Sequence, residues 1–362
     1  MAKSRHHHHH RHDSKAKKIT IYSLAAINCI IVILMLISSY SGTLPPQDYP
    51  KLSLMPLLFP IFLLLSVICL VAWLFIRKKF SLISAVGLLL CISDIRGYVP
   101  INIQSNAPQG SIKVMSFNIG KVKKDNVKDF VNYIDRISPD VLCMQECPRS
   151  LNLEEDTTIR QLYPYIKYNK DKGATVACFS RYPIVRSESI EYGGKGNATA
   201  AFYLMIGNEE VLFVNNHLQS YSLNPDDIKE YKDITGRSAD ISEREKGTKD
   251  IAIKIRDANK LRGPQVDTIC QYLEKNAKQY TVVMGDFNEP TMSYAHYRFT
   301  KNYNDAFTRA GNGFGFTYSR DKIFFRIDHI LYSEKMDAFE TEVDKTCTIS
   351  DHYPIFCYLK ME

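Results

Sequence analysis

Val282-Val283-Met284-Gly285-Asp286-Phe287-Asn288 is the stretch of sequence that decides the fold. Its apolar, β-branched run stops at a glycine, as a buried strand does where the chain turns into a cleft. Because side chains alternate along a strand, Asp286 and Asn288 are predicted to lie on one face. A carboxylate and an amide side by side orient water and bind a phosphoryl oxygen. The stretch therefore predicts a polar site at the end of a buried strand.

Four other polar clusters share this character. They are Gln145-Glu146, Asn215-Asn216-His217-Leu218, Arg326-Ile327-Asp328-His329 and Ser350-Asp351-His352. Any one of them alone is more often a solvated strand end or a structural histidine than a functional site. All of them in this order indicate the site of a divalent-metal phosphoesterase.

The clusters offer the groups that phosphate-ester hydrolysis needs, namely metal ligands, activated water and donors for phosphate oxygens. Glu146 and Asp351 are the predicted metal ligands, because magnesium prefers one or two protein carboxylates and keeps much of its water shell. Asn215 and His217 are predicted to contact substrate, since both lie on one side of their strand.

His352 is a candidate general base, and Asp328 is the candidate carboxylate that would fix its tautomer and stabilise the imidazolium. Such acid–base help is typically worth ~10²–10⁴-fold in rate. His329 alternates with Asp328 along the strand, so it is predicted to face the other way and to be structural. The residues leave open whether Asp286 or His352 deprotonates the water.

Apolar, β-branched runs alternate with helical patterns through the C-terminal part of the chain, which predicts an α/β domain over residues 112–362. A charged stretch at 221–249 is expected to be an inserted loop, and the polar residues 102–111 a linker. The predicted strands are 112–118, 141–144, 176–180, 211–215 and 280–284, and the predicted helices are 127–137 and 250–276.

The N-terminal part differs sharply in charge. Residues 1–100 hold 11 Lys+Arg and 3 Asp+Glu, whereas residues 101–362 hold 35 and 36. The net positive charge of the chain therefore comes from the N-terminal part. The near-neutral remainder does not favour tight nonspecific binding to duplex nucleic acid. The basic, His-rich tail at 1–18 is left out of the fold prediction, because its six His residues from 6 to 12 are typical of a tag or a basic tail.

Residues 19–101 are predicted to be a membrane region with two or three spans. The segments 19–40 and 52–76 each exceed the roughly 20 residues that cross a bilayer core. The segment 80–101 is weaker, because Asp94 and Arg96 interrupt it. An uncleaved anchor is expected, since a second span follows the first and no clear cleavage site stands between them.

Basic clusters before the first span and at Arg77-Lys78-Lys79 are both expected in the cytoplasm. Two spans and a surface helix would keep the catalytic part cytoplasmic, and three spans would export it. The short basic turn favours three, and hence a multi-pass membrane protein with an exported catalytic domain. The six cysteines beyond residue 101, expected to be buried free thiols, argue mildly the other way.

At these residues the chain resembles the endonuclease/exonuclease/phosphatase superfamily, over about residues 112–360. That superfamily includes pancreatic-type deoxyribonucleases, abasic-site endonucleases, inositol-polyphosphate 5-phosphatases and neutral sphingomyelinases. The resemblance implies a four-layer α/β sandwich, in which two packed β-sheets are flanked by helices. The chain is also similar to a membrane-anchored branch of the family known from Bacteroides-like bacteria, in the stretches 285–294, 305–307 and 313–317 and in its hydrophobic N-terminal segments. This similarity implies the bacterial inner membrane, with the exported catalytic domain in the periplasm.

The resemblance adds Asn118, in Ser116-Phe117-Asn118, as a site residue. It implies that Glu146 and Asp351 bind metal, that His217 contacts phosphate, and that Asp286 and Asn288 form a catalytic pair. It implies further that Asp328 is the partner of the catalytic His352. Some nucleases of the family carry a second acid where this chain has Gly120, so a second metal site is in doubt.

The prediction is thus a membrane-anchored phosphoesterase that uses Mg²⁺, with Mn²⁺ as an alternative, to hydrolyse phosphodiesters or phosphomonoesters by attack of water. Its expected partners are the lipid bilayer and a phosphate ester, whether lipid or inositol phosphate, nucleotide or nucleic acid; no protein partner is evident. A nuclease of the cell envelope is one alternative. A catalytically silent, membrane-tethered binding domain is another.

Overall fold

The computed structural model of the chain describes residues 3–171, 174–193, 196–221, 241–320 and 323–362. Contacts between residues divide the chain into two units. The first unit comprises Met1–Ser41 and Met55–Ile95, and the second comprises Gly42–Leu54 and Arg96–Glu362.

The first unit is helical. Its helices are α1 (Lys3–Ser41), α2 (Phe59–Ile76) and α3 (Ser81–Leu90), and a fourth, α4 (Ile92–Tyr98), continues into the second unit. Two stretches, Lys15–Ser41 and Leu52–Ile76, are long and apolar enough to cross a membrane.

The third hydrophobic segment forms the pair Lys78–Leu90 and Ile92–Tyr98, bent by 64° at the break. Within the unit, α3 packs closely on α1, where the buried Ser84 hydroxyl donates to the Asn28 side-chain oxygen at 2.9 Å. Hydrogen bonds between small polar side chains are a common way for helices to associate in a membrane.

The second unit contains two six-stranded mixed sheets. The first has the order β13-β14-β1-β2-β4-β3, and the second the order β5-β6-β7-β8-β12-β9. The strands of the first sheet are β1 (Ile112–Asn118), β2 (Val141–Gln145), β3 (Tyr165–Asp171), β4 (Ala174–Ser180), β13 (Met336–Val343) and β14 (Ile355–Met361). Those of the second are β5 (Ile184–Ser189), β6 (Ala198–Ile206), β7 (Glu209–His217), β8 (Thr281–Asp286), β9 (Asn304–Asp305) and β12 (Asp328–Tyr332).

The sheets pack face to face, and helices cover their outer sides. Val114, Phe213 and Met284 lie in the core between the sheets. Outside the first sheet lie α5 (Val127–Ile137) and α6 (Thr157–Leu162), and outside the second lie α7 (Ile241–Asn276) and α8 (Tyr294–Thr300). A short helix α9 (Ala306–Ala310) and a hairpin of β10 (Tyr318–Arg320) and β11 (Ile323–Phe325) complete the unit. The predicted four-layer α/β sandwich is therefore confirmed.

The predicted strands and helices are all present, with longer bounds in several cases. The largest difference is at α7, which begins at Ile241 and not at residue 250. Of the stretch 221–249 predicted to be an inserted loop, residues 222–240 lie outside the described residues. The six cysteines beyond residue 101 are buried and free, as expected.

Two segments of the second unit lie outside the predicted catalytic domain and pack on it. Gly42–Leu54, which joins the first two apolar segments, reaches α7, where the Asn259 amide donates to the Ser53 carbonyl at 3.1 Å. The predicted linker 102–111 contains no helix or strand. It nevertheless lies against the domain, since the Asn102 amide donates to the carbonyls of Thr308 and Gly311 at 3.1 and 2.7 Å.

The sheet topology explains why the polar clusters meet. β1 pairs with β2, and β7 with β8, in parallel, so each pair ends its strands at one edge. β12 is antiparallel to β8 and begins at that same edge, with Asp328 opposite Asp286. The segment before β14, which is antiparallel to β1, delivers Ser350–His352 there.

Candidate active site

Asp286 lies at the centre of a buried polar cluster. In the second sheet it is flanked by His217 of β7 and Asp328 of β12, both in register with it. Gly285 directly precedes Asp286 at the end of β8 and has a φ of +126°. It lies so close to the backbone of Asn216 that a β-carbon at residue 285 would overlap that backbone. The glycine that ends the apolar run is therefore a steric requirement of the β7–β8 pair.

The Asp286 carboxylate is held by donors on both oxygens. Oδ1 accepts the backbone N–H of Asn288 at 2.8 Å, and Oδ2 accepts the side-chain amides of Asn118 and Asn288 at 3.0 and 3.2 Å. Burial and the neighbouring Asp328 raise the pKa of Asp286 to about 6, although His352 and His217 act against them. Asp286 and Asn288 thus share one side of the strand end, as predicted.

His352 faces two carboxylates. Its Nδ1–H donates to Asp328 Oδ2 at 2.8 Å, and its Nε2 lies 3.9 Å from Asp286 Oδ2. Burial disfavours the imidazolium, but the carboxylates of Asp328 and Asp286 outweigh it and raise the pKa of His352 to about 10. The arrangement therefore favours a cationic imidazole held in one orientation.

A threonine and a tyrosine support this pair. The Thr317 hydroxyl accepts the backbone N–H groups of Ile327 and Asp328, both at 3.0 Å. The Tyr318 ring packs edge-on against the His352 ring with centroids 5.1 Å apart. Neither residue was predicted from the sequence, where they follow a glycine- and phenylalanine-rich stretch that lacks a catalytic pattern.

Glu146 approaches the cluster from the first sheet. Its Oε1 lies 3.5 Å from His217 Nε2 and accepts the Asn118 amide at 3.2 Å. The side chain is 48% exposed, in contrast to Asp286 at 1%, so Glu146 keeps oxygen atoms open to the cleft. Its backbone has a positive φ of 50°, a strained conformation that is common at functional sites.

Gly120 stands where some nucleases of the family carry a second acid, and it lies against Glu146. A β-carbon at residue 120 would overlap the Glu146 carboxylate, so a larger residue there would require that flexible side chain to move. The backbone N–H of Gly120 also donates to Asn118 Oδ1 at 3.0 Å, which orients that amide toward Glu146 and Asp286.

The two predicted metal ligands are not among the most tightly clustered acids. Asp286, Asp328 and His352 bring ligand atoms within 4.8 Å of one another. Asp351 lies at the rim, with Oδ2 3.9 Å from the Lys121 ammonium and a side chain 21% exposed. In this tight group, however, His352 Nδ1 is already hydrogen-bonded to Asp328.

Asn215 is not brought into the cleft. It faces the same side as His217 but lies two residues further back, fully buried between the sheets. Its amide donates to the carbonyls of Met144 and Ala177 at 2.9 and 3.0 Å, and its oxygen accepts from Gln145 at 2.6 Å. The predicted substrate contact of Asn215 is therefore not supported by its position, because both of its polar atoms hold the sheets together.

His329 points away from the cluster, as predicted. It packs on Phe287 and bonds the Glu289 carbonyl at 3.1 Å. Together with His296 and Asp305 it forms another group whose ligand atoms lie within 4.8 Å. Asp305 is already paired with the Arg326 guanidinium at 2.9 and 3.1 Å, so this group has the character of a structural ion pair.

A buried ion pair outside the predicted set supports the loops that carry His217 and Asn288. The fully buried Arg262 of α7 donates to Glu289 at 2.7 Å and to the Gln219 carbonyl at 2.9 Å. Glu289 follows Asn288 directly, and Gln219 lies two residues after His217. Sequence patterns offered no signal for Arg262, because it stands in a charged helix among residues of similar type.

We expect Arg262→Met to destabilise the protein by about 3–5 kcal/mol, because it leaves the Glu289 carboxylate buried and unpaired. Thermal unfolding of the full chain in detergent measures the effect. Arg298→Met is the matched control, since Arg298 pairs with Asp267 at 3.0 Å near the surface. Loss of such a partly exposed pair is expected to cost less than about 1 kcal/mol. Equal effects of the two substitutions would contradict the role given to Arg262.

Comparison with known proteins bears on this arrangement. A family model described as the Endonuclease/Exonuclease/phosphatase family matches residues 115–352. A second model, described as a domain of unknown function, matches residues 20–98. No curated protein sequence matches the chain.

Several solved structures are similar to this chain at low sequence identity. The human Nocturnin catalytic domain with bound sulfate anion is 17% identical, with a TM-score of 0.52, and the match covers 72% of this chain and 97% of that one. An endonuclease/exonuclease/phosphatase from Bacteroides vulgatus is 17% identical, with coverages of 70% and 100% and a TM-score of 0.48. A mannosyl-6-phosphatase from Bacteroides thetaiotaomicron is 17% identical, with coverages of 69% and 100% and a TM-score of 0.48.

Proposed function

The chain belongs to the endonuclease/exonuclease/phosphatase family, whose members hydrolyse phosphoester bonds, and we propose that it is a membrane-anchored, divalent-metal-dependent phosphoesterase. The single observation that carries the proposal is the meeting of five strand ends and one loop around Asp286. Polar side chains from both sheets converge there, and the reacting groups are held by hydrogen bonds between buried residues. Such preorganisation is what metal-assisted hydrolysis requires.

We assign roles from the geometry. We propose that Asp286, whose carboxylate accepts from Asn118 and Asn288, orients and deprotonates water. We propose that His352 donates to a phosphate oxygen, because Asp328 and Asp286 stabilise its protonated form from both sides. His217, between Glu146 and Asp286, is a further donor for phosphate.

The donor set fits a hard divalent cation. Glu146 and Asp351 present partly exposed carboxylate oxygens, which match the preference of Mg²⁺ for oxygen ligands and retained water. The carboxylates of Asp286 and Asp328 lie at the same cleft. A bound cation would offset the electrostatic repulsion between these carboxylates and a phosphate ester. We propose Glu146 and Asp351 as the residues that hold Mg²⁺ or Mn²⁺, which when bound would neutralise phosphate charge and polarise the ester.

The full chain in detergent is expected to hydrolyse bis-p-nitrophenyl phosphate only with Mg²⁺ or Mn²⁺ present. Release of p-nitrophenol is followed before and after dialysis against EDTA, and again after the metal is restored. We expect activity to be lost and regained. Hydrolysis that persists in EDTA would overturn the metal-dependent mechanism.

Three membrane spans, and hence export of the catalytic domain, are the topology that we propose. Gly42–Leu54 lies between the first two apolar segments and packs on α7, with Gln47 donating to Asp267 at 3.4 Å. Residues joining the first two spans face the side opposite the N-terminus. For α7 to contact them, the chain must cross the membrane a third time. The Ser84–Asn28 hydrogen bond further supports a place for α3 inside the bilayer.

A reporter fused after Glu362 tests this topology. Alkaline phosphatase, which is active only when exported, is expected to be active there, and a green fluorescent protein fused at the same position is expected to stay dark. Fusions after Lys79 should give the opposite pattern and serve as the control. A fluorescent C-terminal fusion would contradict three spans.

A further inference from the structure

Four aromatic side chains, two of them exposed and two partly buried, form a row that starts at the end of the third hydrophobic segment. The rings of Tyr98 and Phe314 are 5.8 Å apart, those of Phe314 and Phe316 stack at 5.2 Å, and those of Phe316 and Phe324 lie 5.8 Å apart. We call these four residues the aromatic row. Phe314 and Phe324 are each 49% exposed, although phenylalanine is normally among the buried residues.

The row continues into two apolar residues that face solvent. Ile101 is 88% exposed, and Ile103 is fully exposed. Both follow the third hydrophobic segment, which ends at Tyr98, within a few residues. Chain connectivity therefore keeps them close to the end of a proposed membrane span. Clustered exposed apolar groups of this kind mark a surface that binds a partner or a membrane.

The other end of the row reaches the catalytic histidine. Phe316 is two residues from Tyr318, which forms an isolated β-bridge with His352 and packs on its ring. Two residues of extended chain span about 7 Å. The aromatic row therefore ends within two residues of Tyr318, whose ring packs on His352.

We infer that the aromatic row lies in the bilayer surface beside the active site, and that the substrate is a phosphoester in the headgroup of a lipid of that same bilayer. Aromatic residues favour the membrane–water interface, where an apolar ring meets polar headgroups. The inference rests on the proposed function and narrows its substrate class. A substrate that diffuses in water would need no exposed row joining the anchor to the site.

The first test measures membrane contact without any need for activity. The full chain carrying Trp73→Phe and Phe324→Trp is reconstituted into vesicles of phosphatidylethanolamine, phosphatidylglycerol and phosphatidylinositol. Lipids brominated on their acyl chains are expected to quench the new tryptophan. Tyr165→Trp in the same background is the control, because Tyr165 is an exposed aromatic on the edge strand β3. Equal quenching at both positions, or none at Phe324→Trp, overturns the membrane contact.

The second test compares hydrolysis of a membrane lipid with hydrolysis of a soluble ester. We expect wild-type chain in these vesicles to release phosphorylated headgroups or phosphate from lipid. Phe314→Ser with Phe324→Ser should lower that release by about tenfold or more, because two apolar contacts with the interface are lost. The same variant should hydrolyse bis-p-nitrophenyl phosphate within about twofold of wild type, as should Tyr165→Ser.

The outcomes distinguish this inference from the proposed function. Hydrolysis of bis-p-nitrophenyl phosphate without hydrolysis of any of the three lipids overturns the lipid substrate and leaves the phosphoesterase. Equal losses on lipid and on the soluble ester also overturn it, since the row would then shape the site itself. Failure to hydrolyse any of these esters with Mg²⁺ or Mn²⁺ overturns both.

Discussion

His352→Ala is expected to lower kcat/KM for bis-p-nitrophenyl phosphate by about 10³–10⁴-fold, at the upper end of what acid–base groups contribute. The His352 imidazole is hydrogen-bonded to Asp328 and lies 3.9 Å from Asp286, so two carboxylates stabilise its cationic form. Its removal takes away both the proton donor and the charge that balances Asp286. Steady-state kinetics of the full chain in detergent at saturating Mg²⁺ measure the loss.

Asp328→Asn should cost less, about 10²-fold, because Asp328 acts through His352 and does not touch the ester. The double variant is expected to be no worse than His352→Ala alone, since residues that act as a unit are not additive. His296→Ala is the matched control, as His296 also pairs with a carboxylate, at 2.9 Å from Asp305. A double variant much slower than His352→Ala would show that Asp328 has a role of its own.

Asp286→Asn is expected to lower kcat by about 10³-fold or more, and added Mg²⁺ should not restore it. The isosteric amide has no basic oxygen to take the proton of water, and general-base help is worth ~10²–10⁴-fold. Glu146→Gln should behave differently, because it weakens metal binding and its loss should be partly recovered at high Mg²⁺. Titration of Mg²⁺ against rate for both variants measures this difference.

Glu342→Gln, an exposed acid on β13, provides the control for the loss of one negative charge. Thermal unfolding in detergent shows whether each variant is folded. If Asp286→Asn kept more than a tenth of the wild-type kcat, Asp286 would not be the base. Recovery of Asp286→Asn by Mg²⁺ would instead place Asp286 among the metal ligands.

Local patterns in the sequence predicted an α/β domain, because five of its strands and two of its helices carried recognisable signals, whereas the two-sheet sandwich was implied by the family resemblance. The apolar runs before Asp286 and Glu146 are recognisable one at a time, and the alternation of helices and strands predicts an α/β domain. Parallel pairing of β1 with β2 and of β7 with β8 then brings the polar ends together, as the order of the motifs implied. The prediction for Asn118, Asp328 and His352 as neighbours of Asp286 agrees with the hydrogen bonds.

The sequence could not show how deeply a side chain is buried or which segments far apart in the chain pack together. Strand alternation correctly put Asn215 on the side of His217, but it carries no information on how far back along the strand the cleft closes. Arg262 was missed because its burial depends on Glu289 and Gln219, which approach α7 only in the folded chain. The packing of Gly42–Leu54 on α7 joins residues more than 200 positions apart, where no local pattern reaches.

The contact between Ser53 and Asn259 affects how late in synthesis the second unit can finish folding. Ser53 leaves the ribosome 206 residues before Asn259, so the segment must wait for α7 before its surface is covered. Folding of the catalytic unit is therefore completed late in synthesis, after nearly all of the chain that surrounds α7 has emerged. A fragment that starts at residue 102 lacks Gly42–Leu54 and therefore exposes the surface of α7 that this segment contacts. The segment Gly42–Leu54 is thus part of the folded second unit, although it lies between the first two apolar segments of the chain.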